Sequence, residues 1–595
     1  MREEQNSAYC AVRFALCSDG PCIYMIPKLW VLRQLKENAD IASLADSLNI
    51  TEAIARVLAL RGITTFSQAK KFFRPTMDDL HDPFLMSGMN AATQRVIKAV
   101  TENQKILVYG DYDVDGTAST ALMYLFLKDL DADVDYYIPR RIEDGYGIST
   151  GGIDHAKENG VKLLISVDCG ITAIAEIGYA SSIGIDVIVC DHHKPKDVLP
   201  AAFALLDPLV PGCQYPFKYL SGAGVAFKLA QGVAERIGKK NLPYKYLDLV
   251  ALAGAADIVP LTDENRTLVR EGLLMINQNP RPGVKALIQS AKLEPGSLTS
   301  GQIVFTLAPR INAVGRLGDA KTAVELLIAT DEAEAIRLAE HLEHDNFLRK
   351  KIDEDTLHKA LDYIEAHPDR ADDKVIILHD DNWHPGVIGI VASRIVEKFY
   401  KPTIMLTTID GMAKGSARSI AHFNIYEALR QCEDLLVHFG GHEAAAGLAV
   451  ELANLPEFRM RLNNIVNISL DDKIASPTIE VDTIIRLSEI TPKFIRLIDQ
   501  FAPFGPGNMR PLFQANEVYV SGNARSVGQN GKHLQLSIRQ DGGDKVFDAV
   551  AFDYGGLCRD LNNGHPVFDM VFSIEQKVWN GKSSSQLRIR DMKLK

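Results

Sequence analysis

A chain of 595 residues has room for about three to five domains, and 46% hydrophobic with 24% charged residues excludes bulk disorder and collagen-like sequence. No run approaches the ~18 consecutive apolar residues of a membrane-crossing helix. The formal charge of −11 excludes a wholly basic nucleic-acid coat, though not a local basic groove.

In chain order, residues 1–24 show no helix or strand period and are expected to be a disordered extension, with Met25 reading as a natural start. Met1–Ser7 is acidic and polar, unlike a secretory signal. The eight cysteines (Cys10, Cys17, Cys22, Cys169, Cys190, Cys213, Cys432 and Cys558) make no CxxC pair, which argues against a zinc ribbon or disulfide scaffold. Both features point to the cytosol. Residues 25–95 carry helix-like apolar spacing over Ile41–Leu48, Glu52–Leu60 and Thr65–Phe73 and read as a helical cap. From residue 96 to 330 nearly continuous apolar runs alternate with helices. The strands expected there are Lys105–Tyr109, Val134–Ile138, Lys162–Val167, Asp186–Cys190 and Phe203–Leu206, buried on both faces of a parallel sheet. Residues 331–368 read as one long connecting helix. Residues 369–465 form a second α/β unit with strands Val375–Leu378 and Thr403–Leu406. Residues 466–595 read as a small β-barrel, with strands at Glu517–Val520, Leu534–Ile538, Phe547–Phe552 and Leu587–Ile589.

The chemistry gathers at strand ends. In KILVYGDYDVDG (Lys105–Gly116), Asp111, Asp113 and Asp115 follow a buried strand. Open parallel sheets bind ligands beyond such ends, and crowded carboxylates repel one another unless a cation neutralises them. An EF-hand does not fit, because it needs a bidentate glutamate at position 12 and this loop runs into an apolar helix. Two further strands end in Asp168-Cys169-Gly170 and Asp191-His192-His193, and Asp257 lies in an otherwise apolar run where a lone carboxylate is costly. Oxygen donors with one or two imidazoles select Mn²⁺ or Mg²⁺ over Zn²⁺. Enough donors are present for two ions, which suits in-line attack on phosphorus.

DYDVDG, VDCG and DHH, in that order, resemble the DHH phosphoesterase superfamily, and FGGHEAAAGL (Phe439–Leu448) resembles the GGH motif of its DHHA1 domain. IPRRIEDGYG (Ile138–Gly147), PRINAVGRLGDA (Pro309–Ala320), GSARS (Gly415–Ser419) and PFGPGN (Pro503–Asn508) narrow the resemblance, over residues 105–590, to the RecJ family of bacterial single-strand-specific 5′→3′ DNA exonucleases. The implied fold is a DHH domain and a DHHA1 domain joined by a long helix, with a C-terminal OB-type barrel that binds nucleic acid. The implied activity is two-metal phosphodiester hydrolysis releasing nucleoside 5′-monophosphates, in DNA repair and recombination. Carried over by motif, the metal set is Asp111, Asp113, Asp115, Asp168, His192 and Asp257. The resemblance implies that Asp168 bridges two Mn²⁺ or Mg²⁺ ions, with Asp113 on one side and Asp115, His192 and Asp257 on the other. It also implies that His193 contacts the scissile phosphate, completing the catalytic group. A manganese-pyrophosphatase-type relative has a histidine four residues before its first DxD aspartate; that position is Tyr109 here, and Asp111 is the candidate to replace it.

Substrate grip is expected from Arg141, from Arg310, Asn312 and Arg316, and from Ser416, Arg418 and His442 across a cleft. Gly440-Gly441 would let backbone amides approach a phosphate. SGAGVAFK (Ser221–Lys228) lacks full GxGxxG spacing and reads as helix packing. At the C-terminus, Lys577, Lys582, Arg588, Arg590, Lys593 and Lys595 face a single acid, Asp591, with Trp579 and Tyr554 as base-stacking candidates. The implied partners are single-stranded DNA, a single-strand-binding protein and a helicase, for a monomer without a membrane. One rival reading is a DHH phosphoesterase for short oligonucleotides or cyclic dinucleotides, which would not need the barrel or the cap. Another is a non-catalytic DNA-clamp relative, which would require eroded metal ligands.

Overall fold

The computed structural model describes residues 27–36, 40–141, 144–145, 147–470, 476–540, 545–564, 566–579 and 582–595. The expected extension over residues 1–24 lies outside them. The chain forms two compact units, one of Lys36–Ser469 with Arg496–Arg510, the other of the segment up to Leu35 with Leu470–Ile495 and Pro511–Lys595.

The larger unit begins with helices α1 (Ile41–Leu48), α2 (Glu52–Ala59) and α3 (Phe66–Phe73), N-capped by the side chains of Asp40, Thr51 and Thr65. A five-stranded sheet follows: β1 (Ile106–Tyr109), β2 (Val134–Tyr137), β3 (Leu163–Val167), β4 (Asp186–Cys190) and β5 (Ala204–Leu206). Its order is β2-β1-β3-β4-β5 and every pairing is parallel. The strand order reverses direction at β1, so the crevice beyond the carboxyl ends of β1 and β3 is the switch point where such sheets bind ligands. Register pairs Tyr109 with Ser166 and Val167 with Cys190, which makes the three aspartate-bearing loops leave the sheet on one edge.

Helix α4 (Val114–Lys128) starts inside the first aspartate loop and is buried over most of its length. Around it pack α5 (Gly222–Arg236) and α6 (Leu247–Ala256), followed by α7 (Ala308–Leu317). Helix α8 (Glu332–Ala366) is 35 residues long. It leads to α9 (Ile388–Phe399) and a second sheet of β6 (Ile376–His379), β7 (Thr403–Ile409), β8 (Met412–Arg418), β9 (Leu436–Gly441) and β10 (Ala445–Glu451), in the order β9-β10-β8-β7-β6. Only β6–β7 is parallel. Strands β8 to β10 were not expected from sequence: MAKGSAR and LVHFGG are short of the branched and aromatic residues that mark a strand.

In the smaller unit β11 (Phe513–Val520), β12 (His533–Gln540), β13 (Phe547–Ala551), β14 (Phe568–Trp579) and β15 (Lys582–Leu594) close into a barrel in the order β11-β14-β15-β13-β12, with β12 returning to β11. Two sequence expectations are corrected here. The segment Leu29–Leu32 is not part of a helical cap; it is a strand pairing in parallel with Thr478–Val481 of this unit. Conversely, Arg496–Arg510 leaves the barrel region and belongs to the larger unit. There Leu261 N donates to Pro506 O at 2.7 Å, Ser300 Oγ to Phe504 O at 2.7 Å, and Arg266 Nη1 to Phe501 O at 2.7 Å. Pairings this distant in sequence leave no local periodicity.

The C-terminal basic run is also less bare than it reads. Arg590 Nη2 lies 3.1 Å from Glu575, Lys595 Nζ lies 3.2 Å from Asp569, and the Lys593 ammonium sits 4.4 Å from the Trp30 ring centroid. Tyr554 is buried, with its hydroxyl donating to Asp591 at 2.5 Å, so it cannot stack a base. The side chains of Lys577, Trp579 and Lys582 lie outside the described residues.

Candidate metal centre and anion cavity

Each aspartate of the first loop has its own local task. Asp113 N-caps α4, accepting from Gly116 N at 3.0 Å. Asp115, in the first turn, accepts from Gly222 N at 2.6 Å and Ala223 N at 2.8 Å, the amino end of α5. Its carboxylate is therefore aimed by the segment that sequence spacing assigned to helix packing alone. Asp111 is buried, and its Oδ1 has no hydrogen-bond partner among the described residues.

Asp168 follows β3 with φ +62° and is buried. Its amide extends the ladder to Cys190 O at 2.9 Å. His192 Nε2 lies 3.1 Å from Asp168 Oδ1, 3.7 Å from Asp257 Oδ2 and 3.8 Å from Asp115 Oδ2. Asp257 C-caps α6. Two of the resulting triads, Asp111–Asp113–Asp168 and Asp115–His192–Asp257, have their ligand atoms within 4.8 Å of one another, and Asp168 joins His192 and His193 in a third. Asp191, the first residue of the DHH motif, stands behind the site. It accepts from Ile171 N at 2.9 Å, His192 N at 2.7 Å and His193 Nδ1 at 2.8 Å, which fixes the loop backbone and orients the His193 imidazole.

The electrostatics separate the two histidines. Burial, reinforced by the neighbouring His193, takes His192 down to about 4, so it is a neutral lone-pair donor. Burial also opposes a charge on His193, but the hydrogen bond to Asp191 and its negative charge outweigh this and carry it to about 9. Among the carboxyls, burial and then Asp113 push Asp111 up to about 8 and Asp115 to about 7; burial and then Asp115 push Asp257 to about 9. Asp168 is driven well above the usual carboxylate range by burial and its acidic neighbours. Carboxyls this crowded call for a cation. Tyr109 is no part of this group: its hydroxyl donates to Gly147 O at 3.1 Å on the sheet's far side.

Beside the aspartates lies a cavity of about 470 Å³ lined by Arg141, Arg316, Lys414, Ser416, Arg418 and Gly441, among others. The Arg141 guanidinium sits 5.2 Å from the ring centroid of Tyr112, which stands between Asp111 and Asp113 in sequence. Burial, then Arg141, Arg349 and Arg418, lower Arg316 to about 10; burial and Arg141 lower Arg418 as well. Guanidinium groups that depress one another form a site prepared for a polyanion. Gly441, at φ +143°, must be glycine, since a Cβ there would lie 2.4 Å from Ala445 O.

Three expectations of substrate grip change. Arg310 pairs with Glu343 of α8 and donates to Thr306 O at 2.6 Å, so it braces α7 on the long helix. Asn312 spends its side-chain oxygen on Val114 N at 3.1 Å, steadying the aspartate loop. His442 is exposed in the β9–β10 hairpin and is not among the cavity-lining residues.

Comparison with known proteins places this geometry. Models of the DHH family N-terminal domain, the DHHA1 domain and the RecJ OB domain match residues 105–254, 372–467 and 481–591. The single-stranded-DNA-specific exonuclease RecJ of Bacillus subtilis is 38% identical over 94% of this chain and 70% of its own. The chain belongs to the RecJ family. RecJ of Escherichia coli is 33% identical over 94% of this chain and 97% of its own. The crystal structure of RecJ in complex with Mn²⁺ from Thermus thermophilus superposes with a TM-score of 0.80 at 31% identity, covering 95% of this chain and 79% of that one.

Within this RecJ fold Gly222 of α5, which the sequence assigns to helix packing, lies against Asp168. A Cβ on Gly222 would lie 2.6 Å from Asp168 Cβ and 2.7 Å from its Oδ1. Gly222→Ala should leave the fold intact by circular dichroism yet lower turnover by about 100-fold, as expected for a misplacement near 1 Å at a reacting centre. Unchanged turnover would show that Asp168 tolerates displacement.

Proposed function

We propose that the protein is a two-metal exonuclease that degrades single-stranded DNA from the 5′ end and releases nucleoside 5′-monophosphates in DNA repair and recombination. The observation that carries this reading is the pair of aspartate-rich triads, one with His192, linked through Asp168 and His192 beside an arginine-lined cavity. The donor set fits divalent ions: Asp111 Oδ1 is buried without a partner among the described residues, and the carboxyls hold protons that a cation would displace. Asp111, Asp113 and Asp168 would hold one ion; Asp115, His192, Asp257 and Asp168 the other. Oxygen-rich ligation favours Mn²⁺ or Mg²⁺, the ions in the Thermus thermophilus RecJ crystal structures. When bound, the ions supply the Lewis acidity that phosphodiester displacement needs.

The chain's own groups do the remaining work. His193, kept cationic by Asp191, donates to the scissile phosphate and offsets the charge that grows on its oxygens. Arg141, Arg316 and Arg418 seat neighbouring phosphates, so that the cleaved bond rests against the aspartates. We assign residues 96–330 to the DHH catalytic domain, 369–465 to the DHHA1 substrate-binding domain and the barrel to nucleic-acid binding. We further propose a monomer working in the cytosol with a single-strand-binding protein and a helicase; among the described residues no helix is long and apolar enough to cross a membrane.

Digestion of 5′- and 3′-labelled single strands with Mn²⁺ or Mg²⁺ tests the reading: mononucleotides should appear first from the 5′ label. Release from the 3′ label, or cleavage confined to dinucleotides, would overturn it.

The raised carboxyls make the metal-free fold bind more protons than the unfolded chain, whose aspartates titrate near ~3.9. Stability of the metal-free protein therefore falls as pH rises from about 4 through the folded values of about 7 to 9 at Asp115, Asp111 and Asp257. Mn²⁺ titration at pH 7 should release protons, read as a dependence of calorimetric heat on the buffer's ionisation enthalpy. A buffer-independent heat would contradict these protonation states.

A further inference from the structure

The residue after Asp257, Ile258, has φ +61°, a region that a β-branched side chain enters only under constraint. The constraint lies just beyond it. Val259 is buried, the Asn265 amide donates to Pro260 O at 3.1 Å, and Leu261 N donates to Pro506 O at 2.7 Å. Glycine or asparagine would adopt this backbone at lower cost, so the turn does not explain an isoleucine. Packing does not explain it either, because Ile258 is 63% exposed. Its side chain instead lines a small cavity of about 140 Å³ together with Asp113, Asp115, Asp257 and Asn312. Of the other apolar residues in that lining, Val114 is buried and Ala256 is small.

We propose that Ile258 packs against the sugar adjoining the cleaved phosphodiester and selects deoxyribose over ribose. The inference rests on the phosphodiesterase reading above. With the phosphate held among Asp113, Asp115 and Asp257, the part of the nucleotide within one side-chain length is the pentose. Deoxyribose presents a C2′ methylene to this surface, whereas ribose presents a hydroxyl that loses water and finds no partner on an isoleucine. A single apolar surface rejects an added hydroxyl by up to about 100-fold.

The test compares kcat/KM for an all-deoxy strand with strands carrying one ribonucleotide at the first or second position from the cut end, in the wild type, Ile258→Asn and Ile258→Gly. The wild type should prefer deoxyribose at one of these positions. Ile258→Asn, which suits the turn and offers the hydroxyl a partner, should shrink that preference at least fivefold, and Ile258→Gly should shrink it too. Because the preference is a ratio within one enzyme, a general loss of rate from a shifted Asp257 cancels. Both variants should also raise the unfolding midpoint by about 2 °C, reporting the strain. A wild type without preference, a preference unchanged in both variants, or no rise in midpoint would overturn the proposal. Failure of the wild type to cut the all-deoxy strand would instead overturn the phosphodiesterase reading.

Discussion

Asp168→Ala should abolish hydrolysis, with turnover at saturating Mn²⁺ falling by at least about 100-fold, while single-strand binding stays measurable. Asp168 links the triads together with His192: it shares one with Asp111 and Asp113, and its Oδ1 lies 3.1 Å from His192, a member of the other. The arginine-lined cavity proposed to grip DNA does not have it in its lining. The variant should also fold well. Burial and the charges of Asp115, Asp113, Asp257 and Asp111 hold the Asp168 carboxyl well above its ordinary range. An ionised Asp168 therefore opposes folding in the metal-free protein, and its removal should raise the metal-free unfolding midpoint at pH 8. Turnover above a hundredth of wild type would reject Asp168 as the bridge, and a lowered midpoint would reject the charge argument.

Arg418→Ala should act on placement rather than metal loading. Arg418 Nη1 holds Ser416 Oγ at 2.7 Å and Ala417 O at 2.8 Å, which fixes the guanidinium on β8 against the cavity. One charge-assisted contact to phosphate is worth about 1.5–3 kcal/mol, so KM for a single strand should rise by roughly 10- to 100-fold. The calorimetric Mn²⁺ titration should be unchanged, because none of the three triads includes Arg418. Unaltered KM and kcat would return Arg418 to a role in the fold of β8. Altered metal affinity would mean that the cavity and the aspartates are one coupled site.

Residues that follow a buried apolar strand are legible without coordinates, because strand and ligand are consecutive in the chain. Asp111, Asp113, Asp115, Asp168, His192 and His193 were found that way, and the parallel register delivers them to one edge. Asp257 carries a different signal, a carboxylate in an apolar run, and it sits where a helix ends beside Asp115 and His192. Motif order carries the family resemblance, and short strand-like runs separated by turns carry the barrel.

Contacts between segments far apart in sequence were decided only by the tertiary structure. The amides of Gly222 and Ala223 reach back to Asp115, Asn312 steadies Val114, and Arg310 turns to Glu343. Leu29–Leu32 pairs with a strand from the far end of the chain, Thr478–Val481, and the acids Glu575 and Asp569 that pair with Arg590 and Lys595 come from the neighbouring strand β14. Local sequence records backbone preference and the face a side chain buries. Where a hydrogen bond or a counter-charge finds its partner depends on chain segments that only folding brings together, so an arginine in a promising motif reads the same whether it meets a phosphate or a glutamate.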